Sequence, residues 1–146
     1  MIDSLMLVYD EDLFHLVFED ACSLLDITLS LQAIKSSDEA NDMFKKWYDK
    51  TEPIDDRPAC IFVDLNIVGS SFDGIELTRR INYNYGNGVV IGIISSSSDE
   101  MEIDKANEAG AQFWMIKSDE IEPRLEEFLG DYTGYEARTL PFKVYR

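Results

Sequence analysis

Short apolar runs alternate with helical stripes along the chain. Residues 5–9 (Leu-Met-Leu-Val-Tyr) are a strand-length apolar run, followed by the acids Asp10, Glu11 and Asp12. Leu13, Leu16, Val17, Ala21, Leu24 and Leu25 then recur at helical spacing. Ile27, Leu29, Leu31 and Ala33 alternate with polar neighbours, the pattern of an edge strand with one wetter face. Ser36 and Glu39 form a capping-box pair opening a helix whose apolar face is Ala40, Met43, Phe44 and Trp47. Residues 51–58 are polar, contain two prolines and read as a loop. A third strand over 59–63 ends at Asp64, a helix is predicted over 75–81, and 82–88 carry Asn and Gly turn signals. A fourth strand over 89–94 ends in Ser95, and Ser97 with Glu100 is a second capping-box pair. The helix it opens closes at Gly110, a residue suited to the C′ position. A fifth strand over 112–116 ends at Lys117, and a last helix runs over 121–129 to Gly130.

Five strands alternating with five helices predict an α/β fold, a parallel sheet with helices on both faces. One domain fits the length of 146 residues. Residues 1–130 hold the alternation, and 131–146 are an aromatic tail too short for a separate output domain. The tail carries Arg138, Lys143 and Arg146 against Asp131 and Glu136, so the acidic excess lies in the first 130 residues. It reads either as packing on the domain's own surface or as part of a homodimer or partner contact, and the sequence leaves both open.

The formal net charge of −16 argues against nucleic acid and against an anionic membrane surface as partners. The first residues, Met1, Ile2, Asp3 and Ser4, do not form a secretory signal, and no apolar run is long enough to span a bilayer. Cys22 and Cys60 sit inside apolar patterns, as reduced thiols of a cytoplasmic protein do. With a single His they cannot complete a zinc site.

In open parallel sheets ligands bind beyond the carboxyl ends of the strands, where the strand order reverses. The strands deliver Asp10 and Glu11, Asp64, Ser95 and Lys117 to that edge. With the order 2-1-3-4-5, three carboxylates converge there beside a hydroxyl and an ammonium. Crowded carboxylates repel one another unless a cation sits among them, and oxygen ligands suit Mg²⁺. A metal, a lysine and a hydroxyl around one carboxylate suit phosphoryl transfer to that carboxylate.

The segments Leu7-Val8-Tyr9-Asp10-Glu11-Asp12, Phe62-Val63-Asp64-Leu65-Asn66, Asp73-Gly74-Ile75-Glu76-Leu77, Ile94-Ser95-Ser96 and Glu108-Ala109-Gly110-Ala111 through Trp114 to Lys117 together resemble a response-regulator receiver domain of the single-domain, chemotaxis type. The resemblance covers about residues 5–129 and implies the flavodoxin-like order 2-1-3-4-5. It implies Asp64 as phosphoacceptor and Asp10, Glu11, Asp64 and the Asn66 carbonyl as Mg²⁺ ligands. It also implies Ser95 and Lys117 as groups for the phosphoryl oxygens, and Ser95 with Trp114 as the switch pair. The implied donor is a histidine kinase or histidine phosphotransfer protein, and the signal leaves through a downstream protein target. Such a receiver assists its own phosphorylation and dephosphorylation but is not an enzyme acting on a separate substrate.

Four positions depart from the family pattern. Glu11 stands where a second Asp is usual, and the loop from Asn66 to Gly74 is longer, with Val68 where Pro is common. Ser118 replaces the Pro that follows the lysine, so either a cis bond is kept before Ser or the loop is rebuilt. Trp114 is bulkier than the usual Tyr or Phe and is expected to bury less easily. These departures motivate an alternative, a pseudo-receiver that binds protein partners without being phosphorylated. An Asp-nucleophile phosphatase would need an acid two residues after Asp64, where Asn66 stands. A flavin carrier would need a phosphate loop where the acids Asp10–Asp12 lie. His15 reads as a solvated or partly packed helical side chain.

Overall fold

The computed structural model describes residues 4–9, 12–24, 30–48, 60–67, 70–85, 89–118, 120–132 and 140–146. Its elements are β1 (Ser4–Val8), α1 (Asp12–Leu24), β2 (Ser30–Ile34), α2 (Ser37–Tyr48), β3 (Cys60–Asp64) and α3 (Gly74–Tyr85). They continue with β4 (Val90–Ser95), α4 (Glu100–Glu108), β5 (Phe113–Ile116), α5 (Glu122–Asp131) and β6 (Lys143–Tyr145). All strands are parallel, in the order β2-β1-β3-β4-β5-β6.

Alternation along each strand sends side chains to two cores. Met6, Val8, Ile61, Val63, Ile91, Ile93 and Trp114 pack with residues of α2, α3 and α4. Leu5, Leu7, Cys60, Phe62, Val90, Ile94, Phe113 and Met115 pack with residues of α1 and α5. Strands β3 and β4 are buried at every residue, which is why they read as continuous apolar runs. No described helix is long and apolar enough to cross a membrane.

The main difference from expectation is β6. A five-stranded sheet was predicted, with 131–146 outside its alternation, but residues 143–145 add a sixth strand beside β5. Three residues are too few to show a period, so burial supplies what the pattern could not. Tyr145 is 2% exposed and meets Phe113 and Phe128 edge-on, at centroid distances of 6.3 Å and 5.7 Å. Its hydroxyl donates to Asp131 Oδ2 at 2.8 Å, and Lys143 Nζ lies 2.8 Å from both Asp131 and Glu127. Arg146 reaches Glu100 on α4 at 3.3 Å. The strand is thus tied to both helices that flank β5.

Smaller differences have local causes. Helix α3 continues to Tyr85 through the predicted turn at Asn82–Asn84, where the Asn84 amide donates to the Arg80 carbonyl at 2.9 Å. Helix α5 runs past Gly130 to Asp131. Asp99, not Ser97, caps α4, accepting from the Met101 N–H at 2.9 Å. Ser36 does cap α2, accepting from the Glu39 N–H at 3.0 Å. Gly110 has φ +100° after α4, where a Cβ would also collide with the Asn82 amide. Cys22 and Cys60 are free and buried, and Phe44 is core. The side chains of His15 and Trp47, Leu25 of the predicted first helix and residues 27–29 of the predicted second strand lie outside the described residues.

Two outcomes are expected. Tyr145→Ala removes a buried aromatic and should lower unfolding free energy by about 3–5 kcal/mol in denaturant titrations. The hydrogen bond from Lys143, then that from Tyr145, hold the Asp131 carboxyl below its ordinary value of 3.8. A depressed carboxyl pKa stabilises the fold above the unfolded value and loses that contribution as pH falls through the folded one. Asp131→Asn should therefore melt below wild type at neutral pH, and the gap should close as pH falls below about 4.

Candidate functional site

At the carboxyl edge of the sheet the two faces receive different groups. By alternation Tyr9, Asp64 and Lys117 continue the rows that pack on α1 and α5, whereas Ser95 continues the row of Ile91 and Ile93. Asp64 ends β3 and is 6% exposed. Lys117 follows β5, and its Nζ lies 3.9 Å from Asp64 Oδ2, an ion pair longer than a hydrogen bond. The closer partner of that ammonium is the Tyr9 hydroxyl, to which it donates at 2.7 Å. It also lies 4.6 Å from the Tyr9 ring centroid and 5.5 Å from that of Phe14.

Sequence reasoning singled out neither Tyr9 nor Phe14. The signal was the period of two: Leu5, Leu7 and Tyr9 share a face with Phe113, Met115 and Lys117. Backbone bonds hold the lysine and the tyrosine in place. The Tyr9 N–H donates to the Ile34 carbonyl at 2.8 Å, and the Lys117 N–H donates to the Ser95 carbonyl at 2.7 Å.

Ser95 is buried, and its Oγ accepts from the Ser97 N–H at 3.1 Å, closing a turn above β4. Trp114 was expected to bury less easily than a smaller aromatic. Instead it is fully buried, because the core against α4 accommodates the indole and the Ser97 carbonyl accepts its N–H at 3.0 Å. The β4–α4 turn therefore joins Ser95 to Trp114 through Ser97.

The loop after Asp64 is pinned to α2. The Ser37 N–H donates to Ser70 Oγ at 3.0 Å, and the Ser71 N–H donates to Asp38 Oδ2 at 2.9 Å. The latter bond is the main reason the Asp38 carboxyl lies below its ordinary range. Gly74 opens α3 so close to the Asp64 carbonyl that a Cβ would overlap it. Asn66 is exposed on this loop, and Val68 lies outside the described residues. The Lys117–Ser118 peptide bond is trans. Ser118 Oγ accepts from the Glu120 N–H at 3.2 Å and from Arg124 at 2.7 Å, so the loop is rebuilt around serine.

Asp10 and Glu11 lie outside the described residues. Among the described residues no group of three acidic, His or Cys side chains gathers to hold a metal. The described part of the predicted ligand set is the buried Asp64 carboxylate with Asn66 two residues on. These are oxygen donors, compatible with a hard divalent cation that keeps several waters.

No protein-family model and no curated protein matches the chain. Solved structures do. The phosphorylated cyanobacterial phytochrome response regulator RcpA is 19% identical, with a TM-score of 0.72 over 91% of this chain and 98% of that one. A response regulator in red light signaling of R. palustris is 17% identical, with a TM-score of 0.74 over 92% and 94%. The Mn²⁺-bound form of response regulator Rcp1 is 18% identical, with a TM-score of 0.68 over 94% and 96%. The chain has the response-regulator receiver fold.

Trp114→Phe removes the indole N–H and leaves the Ser97 carbonyl without that donor. It should lower unfolding free energy by at least about 2 kcal/mol in a denaturant titration.

Proposed function

We propose that the chain is a phosphoacceptor receiver of a two-component phosphorelay, with Asp64 as the acceptor. The observation that carries this is the buried Asp64 carboxylate, with Lys117 3.9 Å away, at the carboxyl edge where β1 and β3 adjoin. One Asp64 oxygen attacks the phosphorus of a phosphohistidine. The new O–P bond replaces the N–P bond, and the histidine nitrogen leaves with its electron pair and takes up a proton. Lys117 neutralises charge on the phosphoryl oxygens. Asp10, Glu11, Asp64 and the Asn66 carbonyl would hold Mg²⁺. When bound, it would offset the negative charge of the carboxylates and the phosphoryl group. The Mn²⁺-bound form of Rcp1 among the similar structures is consistent with binding of a divalent cation.

Ser95 and Trp114 form the switch, since one turn bonds to both. The signal leaves by protein contact around α4 and β5, to a downstream protein or onward by phosphotransfer. Residues 1–130 carry this as one receiver domain, with the tail 131–146 adding β6 to its sheet, and a histidine kinase or phosphotransfer protein is the donor. The protein is not an enzyme acting on a separate substrate. A cytoplasmic location accords with the two free thiols, which burial pushes up, Cys22 to about 11 and Cys60 well above its ordinary value.

The test is intact mass after incubation with acetyl phosphate and Mg²⁺, beside Asp64→Ala and a metal-free control. One phosphoryl mass that requires both Asp64 and Mg²⁺ is the expected result. No adduct, together with no Mg²⁺ binding by titration, would replace this reading with that of a pseudo-receiver binding its partners constitutively.

A further inference from the structure

We propose that Tyr9 is the positioning residue for Lys117. Its phenol oxygen holds the ammonium beside Asp64 but off the carboxylate, ready for an oxygen of the incoming phosphoryl group. This rests on the receiver reading of the site.

The distances carry the inference. Lys117 Nζ donates to the Tyr9 oxygen at 2.7 Å and stands 3.9 Å from Asp64 Oδ2. An unrestrained ammonium beside a buried carboxylate would close to a charge-assisted bond of about 2.7–2.9 Å. The cation is instead held by a neutral acceptor and by ring faces at 4.6 Å and 5.5 Å.

The chemistry of the acceptor matters. A carboxylate in that place would hold the lysine equally well but would add a negative charge facing the phosphoryl oxygens. A phenol oxygen accepts without carrying a formal charge, so it anchors the cation without that repulsion. The aromatic wall also restricts a side chain with several rotatable bonds, which reduces the rotamer freedom lost when the lysine engages a new oxygen. Both anchors are rigid. Tyr9 is 4% exposed with its N–H on Ile34, and Lys117 has its N–H on Ser95. The Tyr9 and Phe14 rings pack against each other at 4.7 Å between centroids, tilted by 41°, so the ring holds its place when its hydroxyl is removed.

Tyr9→Phe keeps the ring and deletes only the acceptor. In the 146-residue variant, a crystal structure is expected to show Lys117 Nζ closed onto Asp64, within about 3.5 Å. An ammonium still 3.9 Å or more from Asp64 would overturn the proposal. Phosphorylation rates with acetyl phosphate and Mg²⁺ are measured for wild type, Tyr9→Phe, Lys117→Ala and the double variant. Tyr9→Phe is expected to slow the saturated rate about fivefold or more, with the half-saturating donor concentration little changed. In the Lys117→Ala background the same substitution is expected to have no further effect. Equal slowing in both backgrounds would assign Tyr9 a packing role and refute the proposal. Failure of wild type to take a phosphoryl group would count against the receiver reading, and the Tyr9→Phe structure alone would then decide the role of Tyr9.

Discussion

A parallel sheet covered on both faces leaves polar side chains little place to go but the ends of its strands. Strands β3 and β4 are buried along their whole length, and an unpaired charge in the middle of either would carry a heavy desolvation cost. Asp64 and Ser95 are buried polar residues at the last positions of those strands. There the backbone turns away and partners can be supplied. Lys117 is such a partner for Asp64 and the Ser97 N–H for Ser95, and the Tyr9 hydroxyl in turn accepts from Lys117. The site at the carboxyl edge is thus a consequence of the double burial, and its residues are held by the same backbone that builds the two cores.

The two faces are kept apart by the pleat and rejoined at the edge. Asp64, Tyr9 and Lys117 belong to the rows on the α1 and α5 side, whereas Trp114 packs against α4. The bond from the Lys117 N–H to the Ser95 carbonyl crosses between neighbouring strands, and the Ser95–Ser97 turn continues it to the indole of Trp114. These bonds join the backbone at Lys117 to the indole on the opposite face. On the sheet edge, β6 is paired to the strand that carries Trp114 and is tied by ion pairs to α4 and α5. Any partner approaching the α4–β5 side meets this added strand.

Structures under 20% identical to this chain share its fold, with TM-scores near 0.7. The reason is that the fold depends on a pattern of apolar runs and on volume, which many sequences satisfy. The same tolerance explains how Trp114 fits a position expected to take a smaller ring. It also explains how Ser118 rebuilds its loop through Arg124 and Glu120.

Much of this protein was legible in the chain. Strands, helices, the parallel class, and the strand-end positions of Asp64, Ser95 and Lys117 follow from local periodicity, because burial on both faces writes itself as uninterrupted apolar runs. The caps at Ser36 and Gly110 follow from backbone groups that only nearby residues can satisfy. What local pattern could not carry was decided by packing between distant segments. The Asp99 cap depends on competition among adjacent caps, and the β6 strand on partners far along the chain. Above all, Lys117 meets Tyr9 across a sequence separation of 108 residues. The period of two put both on one face, but only the stacking of β1, β3, β4 and β5 set the distances that give the ammonium to a phenol before a carboxylate.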